Sequence, residues 1–435
     1  ILRPLAYQFT TSFSTREFIS HVLVEAFWDS SNTSKKSSSE IISYGESTTH
    51  SEPFYNGEFD QTVFSFHNRV LPHLIGKNFS SPRDLHQILD AIKFNKQNRF
   101  AIASLDIAFH DAFSQEKGVP LNRYLLSHYK YPTNNLITEV PVGISRGMKS
   151  SPEELAKSVL EFIRAGNKKI KLKISPDKDL EYIEAVRNII KSQDITLSAD
   201  ANSSYNELDE DHFNRILDIV SKVDLLEQPF SYDDTWGHAL LTSLLNKKGL
   251  KTKICLDESI RYLKDLKNFV SQVEMILNLP VEEFSHSIAV NIKISRVGGL
   301  YEAMRIAQYC MDKNIDIMPG GMHEFDFGQS AIVSFNSINS NFYPGDSEGS
   351  ETYYCGALTA LDGKRFEGLK TNENGNLSVP VEPGLGVGSL IWDELLQIGP
   401  FTYISKLDLD LNRWSPDWNP VLLEKVKKDV QSQPF

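Results

Sequence analysis

The chain has 435 residues, 40% of them hydrophobic and 23% charged, and a formal net charge of −12. This is the composition of a globular protein with a sizeable core, and the length suits a large barrel plus a second module. The acidic balance with no basic tail argues against a nucleic-acid partner, and no apolar run reaches the roughly 18 residues that a membrane span needs.

Residues 1–45 alternate as strands do, in "LAYQFTTSFSTREFISHVLVEAFW" and then "IISYGES". The polar, serine-rich "DSSNTSKKSSSE" at 29–40 lies between them as a long loop. The chain begins at Ile1, inside strand-like sequence, so an initiator segment is expected to precede it. From 58 to 130 the pattern turns helical, as in "FDQTVFSFHNRVLPHLIG" and "ASLDIAFHDAFSQEKG", where apolar residues recur at three and four before a closing glycine. Strands followed by helices predict an α+β capping domain over 1–135.

Over 136–379 short apolar strands alternate with amphipathic helices. The strand candidates are "VPVGI", "IKLKI", "ITLSAD", "VDLLEQP", "KICLDE", "IAVNIKI", "IDIMPGG" and a weaker one near 342. That rhythm predicts an α/β fold of the (β/α)8 type, a modified TIM barrel, and no GxGxxG follows the first strand to suggest an open doubly wound sheet. The aromatic-rich tail, 380–435, is expected to pack back on the capping domain, its last part being an extension. Cys255, Cys310 and Cys355 lie far apart with no CxxC, so neither a disulfide framework nor a zinc site is expected. No signal peptide is visible; a reducing, cytoplasmic setting fits.

Catalytic side chains of a parallel barrel sit at the carboxyl ends of its strands. "KKIKLKIS" (168–175) puts Lys169, Lys171 and Lys173 on one strand face and Ile170, Leu172 and Ile174 on the other. Alone, that reads as a half-buried strand with a solvated basic face. The following strands end in Asp200-Ala-Asn202, Glu227-Gln-Pro and Asp257-Glu-Ser; the next carries Lys293, and "PGGMHE" brings Glu324. Three carboxylates on consecutive strands converge as a hard cation requires, which means Mg²⁺, or Mn²⁺ in its place. Such a cation would neutralise the charge that develops when a proton is removed α to a carboxylate. Lys173 is the expected acid/base, its ammonium disfavoured by Lys171 and the dication, and Lys293 would face it across the substrate. Lys171 is read as an electrostatic partner that also holds a substrate carboxylate oxygen. Asn202 would steer Asp200, and Glu258, which points the other way on an ideal strand, is the weaker ligand candidate. Asp106, His110 and Asp111 on a capping helix read as structural.

KIKLKI, DAN, LEQP, LDES and KISRVGG together resemble the enolase superfamily, in its muconate-lactonizing subgroup. QFTTSF (8–13), EPFYNGE (52–58), VPVGIS (140–145), PGGMHE (319–324), YPGD (343–346) and VPVEPGLGV (379–387) are similar to the o-succinylbenzoate synthase / N-acylamino acid racemase family. The resemblance implies acid/base catalysis by Lys173 and Lys293, and Mg²⁺ on Asp200, Glu227 and Asp257. It places the first-hairpin loop, Thr10 to Thr15 with Thr11 among them, near a small-molecule carboxylate substrate. Ser145, Gly321, Met322 and Glu324 fall in the matching motifs around it. Arg296 matches an arginine found in members with racemase ability, although it could equally pair with a surface acid. "GGMHEFDFGQS" departs from the family at His323, Phe325 and Asp326; His323 either contacts substrate or packs on its loop. The implied reaction is dehydration to o-succinylbenzoate, racemisation of an N-acyl (N-succinyl) amino acid, or both. A dipeptide epimerase, another cycloisomerase or a non-catalytic binding relative are the alternatives, and a homo-oligomer is expected.

Overall fold

The computed structural model describes residues 2–11, 15–29, 40–50, 53, 57–132, 136–190, 195–354, 357–392, 406–408 and 413–415. The serine-rich loop, most of EPFYNGE, Cys355 and most of the tail beyond 392 lie outside the described residues. β1 (Leu2–Thr10), β2 (Thr15–Asp29) and β3 (Glu40–Thr49) form an antiparallel sheet in that order. Helices α1 (Asp60–Leu74), α2 (Arg83–Ala91), α3 (Arg99–Glu116) and α4 (Leu121–Tyr129) follow. α3 is buried on every side from Arg99 to Ser114, which explains its near-continuous apolar run. β3 lies directly on it at Gly45, where a Cβ would stand 1.8 Å from the Ser104 carbonyl oxygen. Asp106, His110 and Asp111 are bonded into this layer. Asp106 accepts the Leu300 and Tyr301 N–H groups, His110 contacts Tyr129, and Asp111 accepts from Tyr44 and Leu385.

A short β4 (Glu139–Pro141) precedes seven parallel strands, paired in chain order. These are β5 (Ile144–Arg146), β6 (Lys169–Lys173), β7 (Thr196–Asp200), β8 (Leu225–Glu227), β9 (Lys253–Leu256), β10 (Ile288–Lys293) and β11 (Asp316–Gly320). Between and after them run α5 (Pro152–Arg164), α6 (Leu180–Ile190), α7 (Glu210–Val220), α8 (Thr235–Lys248), α9 (Leu263–Leu277), α10 (Ile294–Val297), α11 (Leu300–Asp312), α12 (Asp326–Asn336) and α13 (Ser350–Tyr353). The helix starts follow from local chemistry. Ser151 caps α5 by accepting the Glu154 N–H, with Pro152 in the first turn, and Asp209 and Asp234 cap α7 and α8.

Two expectations change here. "VPVGI" is not one barrel strand: β4 pairs antiparallel with a later strand at Asn376–Ser378, and β5 begins only after Gly143. Nor is there a strand near 342. The eighth place of the barrel is held by residues 343–346, bonded through the Tyr343 and Asp346 N–H groups to β11 and through Gly345 to Pro141 and Gly143. Pro344 has no N–H to give a ladder, and a Cβ on Gly345 would meet the Pro319 carbonyl oxygen at 2.8 Å. The seam therefore closes through backbone hydrogen bonds without a regular strand.

β6 is buried on both faces. Ile170, Leu172 and Ile174 join the core shared with the outer helices, each contributing roughly 1.5–3 kcal/mol by burial. The lysines point inward, so the basic face is not solvated. Cys255 and Cys310 are buried free thiols, and among the described residues no helix is long and apolar enough to cross a membrane.

Candidate active site

Parallel register builds the site. Lys173, Asp200 and Glu227 are Cα partners across β6, β7 and β8, so the three side chains stand in one row at the strand ends. Glu227 pairs with Cys255, and Asp257 follows directly after the end of β9 at Leu256. Asp200, Glu227 and Asp257 are buried and bring one carboxylate oxygen each within 4.8 Å of one another. Three buried anions this close repel unless positive charge lies among them, and an all-oxygen donor set suits a hard divalent ion. These residues fit such an ion.

Around the carboxylates stand four cations. Lys171 Nζ lies 3.2 Å from Asp200, 3.1 Å from Glu227 and 2.5 Å from Asp346. Lys173 donates to Asp200 at 2.6 Å and to Asn202 Oδ1 at 2.8 Å. Lys293, the last residue of β10, donates to Asp257 at 2.7 Å, and Arg296 contacts the other Asp257 oxygen. Burial works against the Lys171 ammonium, yet Asp346, Glu227 and Asp200 together raise its pKa well above the ordinary value. Lys173 goes the other way: burial, aided by Lys171 and Lys293, outweighs the pull of Asp200 and lowers its pKa.

Supporting bonds fix the carboxylates. Asn291 donates to Glu227 at 2.8 Å. The Gln228 amide oxygen accepts the Asp257 and Ser259 N–H groups, and its nitrogen donates to Ser259 and Phe230. Asn202 is held by its N–H on Asp200 and its amide on Glu258.

One cavity opens above this row, lined by Lys171, Lys173, Lys293, Asn202, Ser145 and Thr11, with Gly321, Met322 and His323 from the loop after β11. Arg296 and Glu324 are not among its lining residues. Arg296 is buried against Asp257 and the Ile260 and Asn291 carbonyls, so the surface-acid reading of it is overturned. Glu324 accepts from Ser295 and the Met322 N–H, and burial raises its carboxyl to about 7. Glu258 does line the cavity, against expectation. β9 ends at Leu256 and the chain turns through an Ile260-to-Asp257 bond, so the strand alternation no longer applies to it.

Sequence reasoning missed Asp346 as a site residue. It bridges Lys169 and Lys171 on the barrel floor and lines the cavity. The signal was indirect: a strand with three inward lysines needs an interior counterion. Phe9, Arg16 and Tyr353, also in the wall, carried no signal that reading by motif could catch.

The sequence pattern described as "Enolase C-terminal domain-like" matches residues 154–389. "Mandelate racemase / muconate lactonizing enzyme, N-terminal domain" matches 43–125. An o-succinylbenzoate synthase of Geobacillus kaustophilus is 31% identical over 391 residues, 89% of this chain and 92% of its own length. An N-succinylamino acid racemase of Thermus thermophilus is 27% identical over 391 residues, 88% of this chain and 91% of its own. Among solved structures, an enolase-superfamily member from Listeria innocua superposes with a TM-score of 0.75 at 27% identity, over 91% of this chain and 94% of that one.

Proposed function

The chain belongs to the mandelate racemase / muconate lactonizing enzyme family of the enolase superfamily, and from that premise we propose that it abstracts the α-proton of a carboxylate substrate to give an enediolate. Its reaction is syn dehydration to o-succinylbenzoate, with racemisation of N-succinylamino acids open to the same site.

One observation carries the reading. Lys173 and Lys293 line a single cavity, and each is paired to a different carboxylate of the triad. β6 and β10 are four places apart in a ring of seven strands plus the 343–346 seam, so the two ammonium groups approach a bound substrate from opposite faces. Asp200, Glu227 and Asp257 would hold Mg²⁺, which supplies positive charge to the substrate carboxylate as the enediolate forms. Lys171, kept charged by Asp346, holds a carboxylate oxygen and leaves proton transfer to its neighbour. Lys173, its pKa lowered, takes the α-proton. In dehydration the same nitrogen returns that proton to the β-hydroxyl on the same face; the C–O bond breaks, water leaves, and Lys293 stays a cation beside the enediolate. In racemisation Lys293 delivers its own proton to the opposite face of the carbon.

The test supplies Mg²⁺ with the cyclohexadiene precursor of o-succinylbenzoate and a panel of N-succinyl-L-amino acids, and follows products by proton NMR. Aromatic product, epimer or both are expected, lost on chelation and restored by Mg²⁺. Lys173→Ala should lower kcat by about 10²–10⁴-fold. A folded, Mg²⁺-supplied protein inert toward every member would overturn the proposal.

A further inference from the structure

Helix α3 of the cap lies against α10, the short turn that follows Lys293 directly. Two glycines mark how close the approach is. Gly298 and Gly299 have φ of 84° and 105°, and a Cβ on either would strike α3, at 2.4 Å from Arg99 Cζ and 2.2 Å from Asp106 Oδ1. Arg99 donates to the Val297 carbonyl, and its guanidinium lies 4.3 Å from the centre of the Tyr262 ring. Asp106 Oδ1 accepts the Leu300 N–H at 2.5 Å and the Tyr301 N–H at 3.3 Å. α11 begins at Leu300 behind Gly299, which has no side chain to cap it, so a carboxylate of the cap closes the first turn of a barrel helix. The other Asp106 oxygen lies 2.7 Å from His86 Nε2, and the His86 ring stacks on Tyr301 at 4.2 Å.

These bonds bear on one lysine of the pair. Lys293 is the last residue of β10; β9 pairs with that strand only as far as Val290, and the Cα partner of Lys293 is Gly320 of β11. Beyond it, the Gly299 N–H returns to the Ile294 carbonyl at 2.9 Å and closes the turn. The backbone on the far side of Lys293 is therefore fixed by that turn, and the turn is fixed by Arg99 and Asp106. Lys173 is held by its own sheet instead. It pairs with Asp200, and the Ile174 N–H carries the ladder on to the Asp200 carbonyl at 2.9 Å.

We propose that Asp106, with Arg99, is a positioning residue for Lys293, through which the cap sets the rate of one of the two opposed lysines. The assignment rests on the proposed function, in which Lys293 works the face opposite Lys173. Neither side chain needs to touch the substrate. Each holds the α10 turn from outside the cavity, and a displacement of about 1 Å at a reacting nitrogen costs on the order of 100-fold in rate. The balance between the two enantiomers of a substrate is then a property of how the cap is seated.

The experiment gives the Mg²⁺-supplied protein each enantiomer of one N-succinylamino acid in D2O and follows loss of the α-proton by NMR. Lys293→Ala defines which enantiomer depends on Lys293. On that enantiomer Asp106→Ala and Gly299→Ala should each lower kcat by about 10- to 100-fold, and on the other by less than about threefold. Asp106→Asn, which keeps an acceptor oxygen, should fall between Asp106→Ala and wild type. Asn122→Ala breaks a cap–barrel bond elsewhere, to Ser337 Oγ at 3.0 Å, and should leave the ratio of the two rates within about twofold of wild type. Because the ratio is taken within one protein, a loss of folded fraction does not mimic the effect. Added to Lys293→Ala, Asp106→Ala should cost less than about threefold more, since it acts through a side chain already removed. That cycle is read on exchange or on dehydration, whichever the protein performs. Equal losses on both enantiomers, or full additivity in the double variant, overturn the positioning role and leave the proposed function in place. A folded protein inert in both assays overturns the two together.

Discussion

Lys169, Lys171 and Lys173 share one strand face, yet their surroundings make them three different groups. Lys169 is sealed in the barrel floor, where its ammonium donates to the Pro344 carbonyl and to Asp346. Lys171 is held charged by three carboxylates, and Lys173 is eased toward neutrality by burial and its cationic neighbours. Alternation along "KKIKLKIS" was enough to read which side chains share a face. It could not tell which would be charged, because Asp346 lies 177 residues along the chain from Lys169. A test follows at this scale. Asp346→Asn removes the counterion of two buried ammonium groups, and equilibrium unfolding should show a loss of roughly 3–5 kcal/mol. A loss below 1 kcal/mol would mean that the floor finds its charge balance elsewhere.

At the scale of elements, the site depends on how the cap meets the loop after β11. Glu46 of β3 accepts the Phe325 and Gly328 N–H groups at 2.8 and 2.7 Å and the Thr48 hydroxyl at 2.9 Å, with His21 Nδ1 also 2.9 Å away. Although burial opposes it, these partners hold the Glu46 carboxyl below its usual value, so a cap carboxylate anchors the start of α12 and the loop bearing His323. Glu46→Ala should cost roughly 1.5–3 kcal/mol and should raise KM more than it lowers kcat. Gly45→Ala pushes a methyl group into the Ser104 carbonyl, and unfolding should report a cost of at least about 1–3 kcal/mol. The strand ends were legible because period two and the alternation of strands with helices leave few places for Asp200, Glu227 and Lys293 to point. The seam at 343–346 was not: a closure made of backbone bonds around Pro344 and Gly345 leaves no apolar pattern. Glu258 was misread because alternation was carried past the end of β9.

For the whole molecule, the buried histidines set an acid limit. His238 on α8 is locked in a neutral form: Nδ1 faces the Asp234 carbonyl at 2.6 Å, while Nε2 takes the Phe230 N–H at 3.4 Å and lies 3.3 Å from the Gln228 amide nitrogen. Burial lowers its pKa from 6.5 to about 4. Below pH 6.5 the unfolded chain therefore takes up a proton that the folded chain refuses. Stability from this group is complete above 6.5 and falls by about 1.4 kcal/mol per pH unit toward 4. Glu324 and Asp111, raised by burial to about 7 and about 6, act in the opposite sense over the same range. The comparison must therefore be with a variant: His238→Gln should show a shallower loss on acidification than wild type, by about that slope. Gln228 links this histidine to the Asp257 N–H. The measurement that bears most directly on two opposed lysines is the stereochemistry of α-proton exchange in D2O, with Lys173→Ala and Lys293→Ala each given both enantiomers of one N-succinylamino acid. Each variant should keep exchange on one enantiomer and lose it on the other, in reciprocal fashion. Loss of both by one variant, with the other unaffected, would contradict bases on opposite faces.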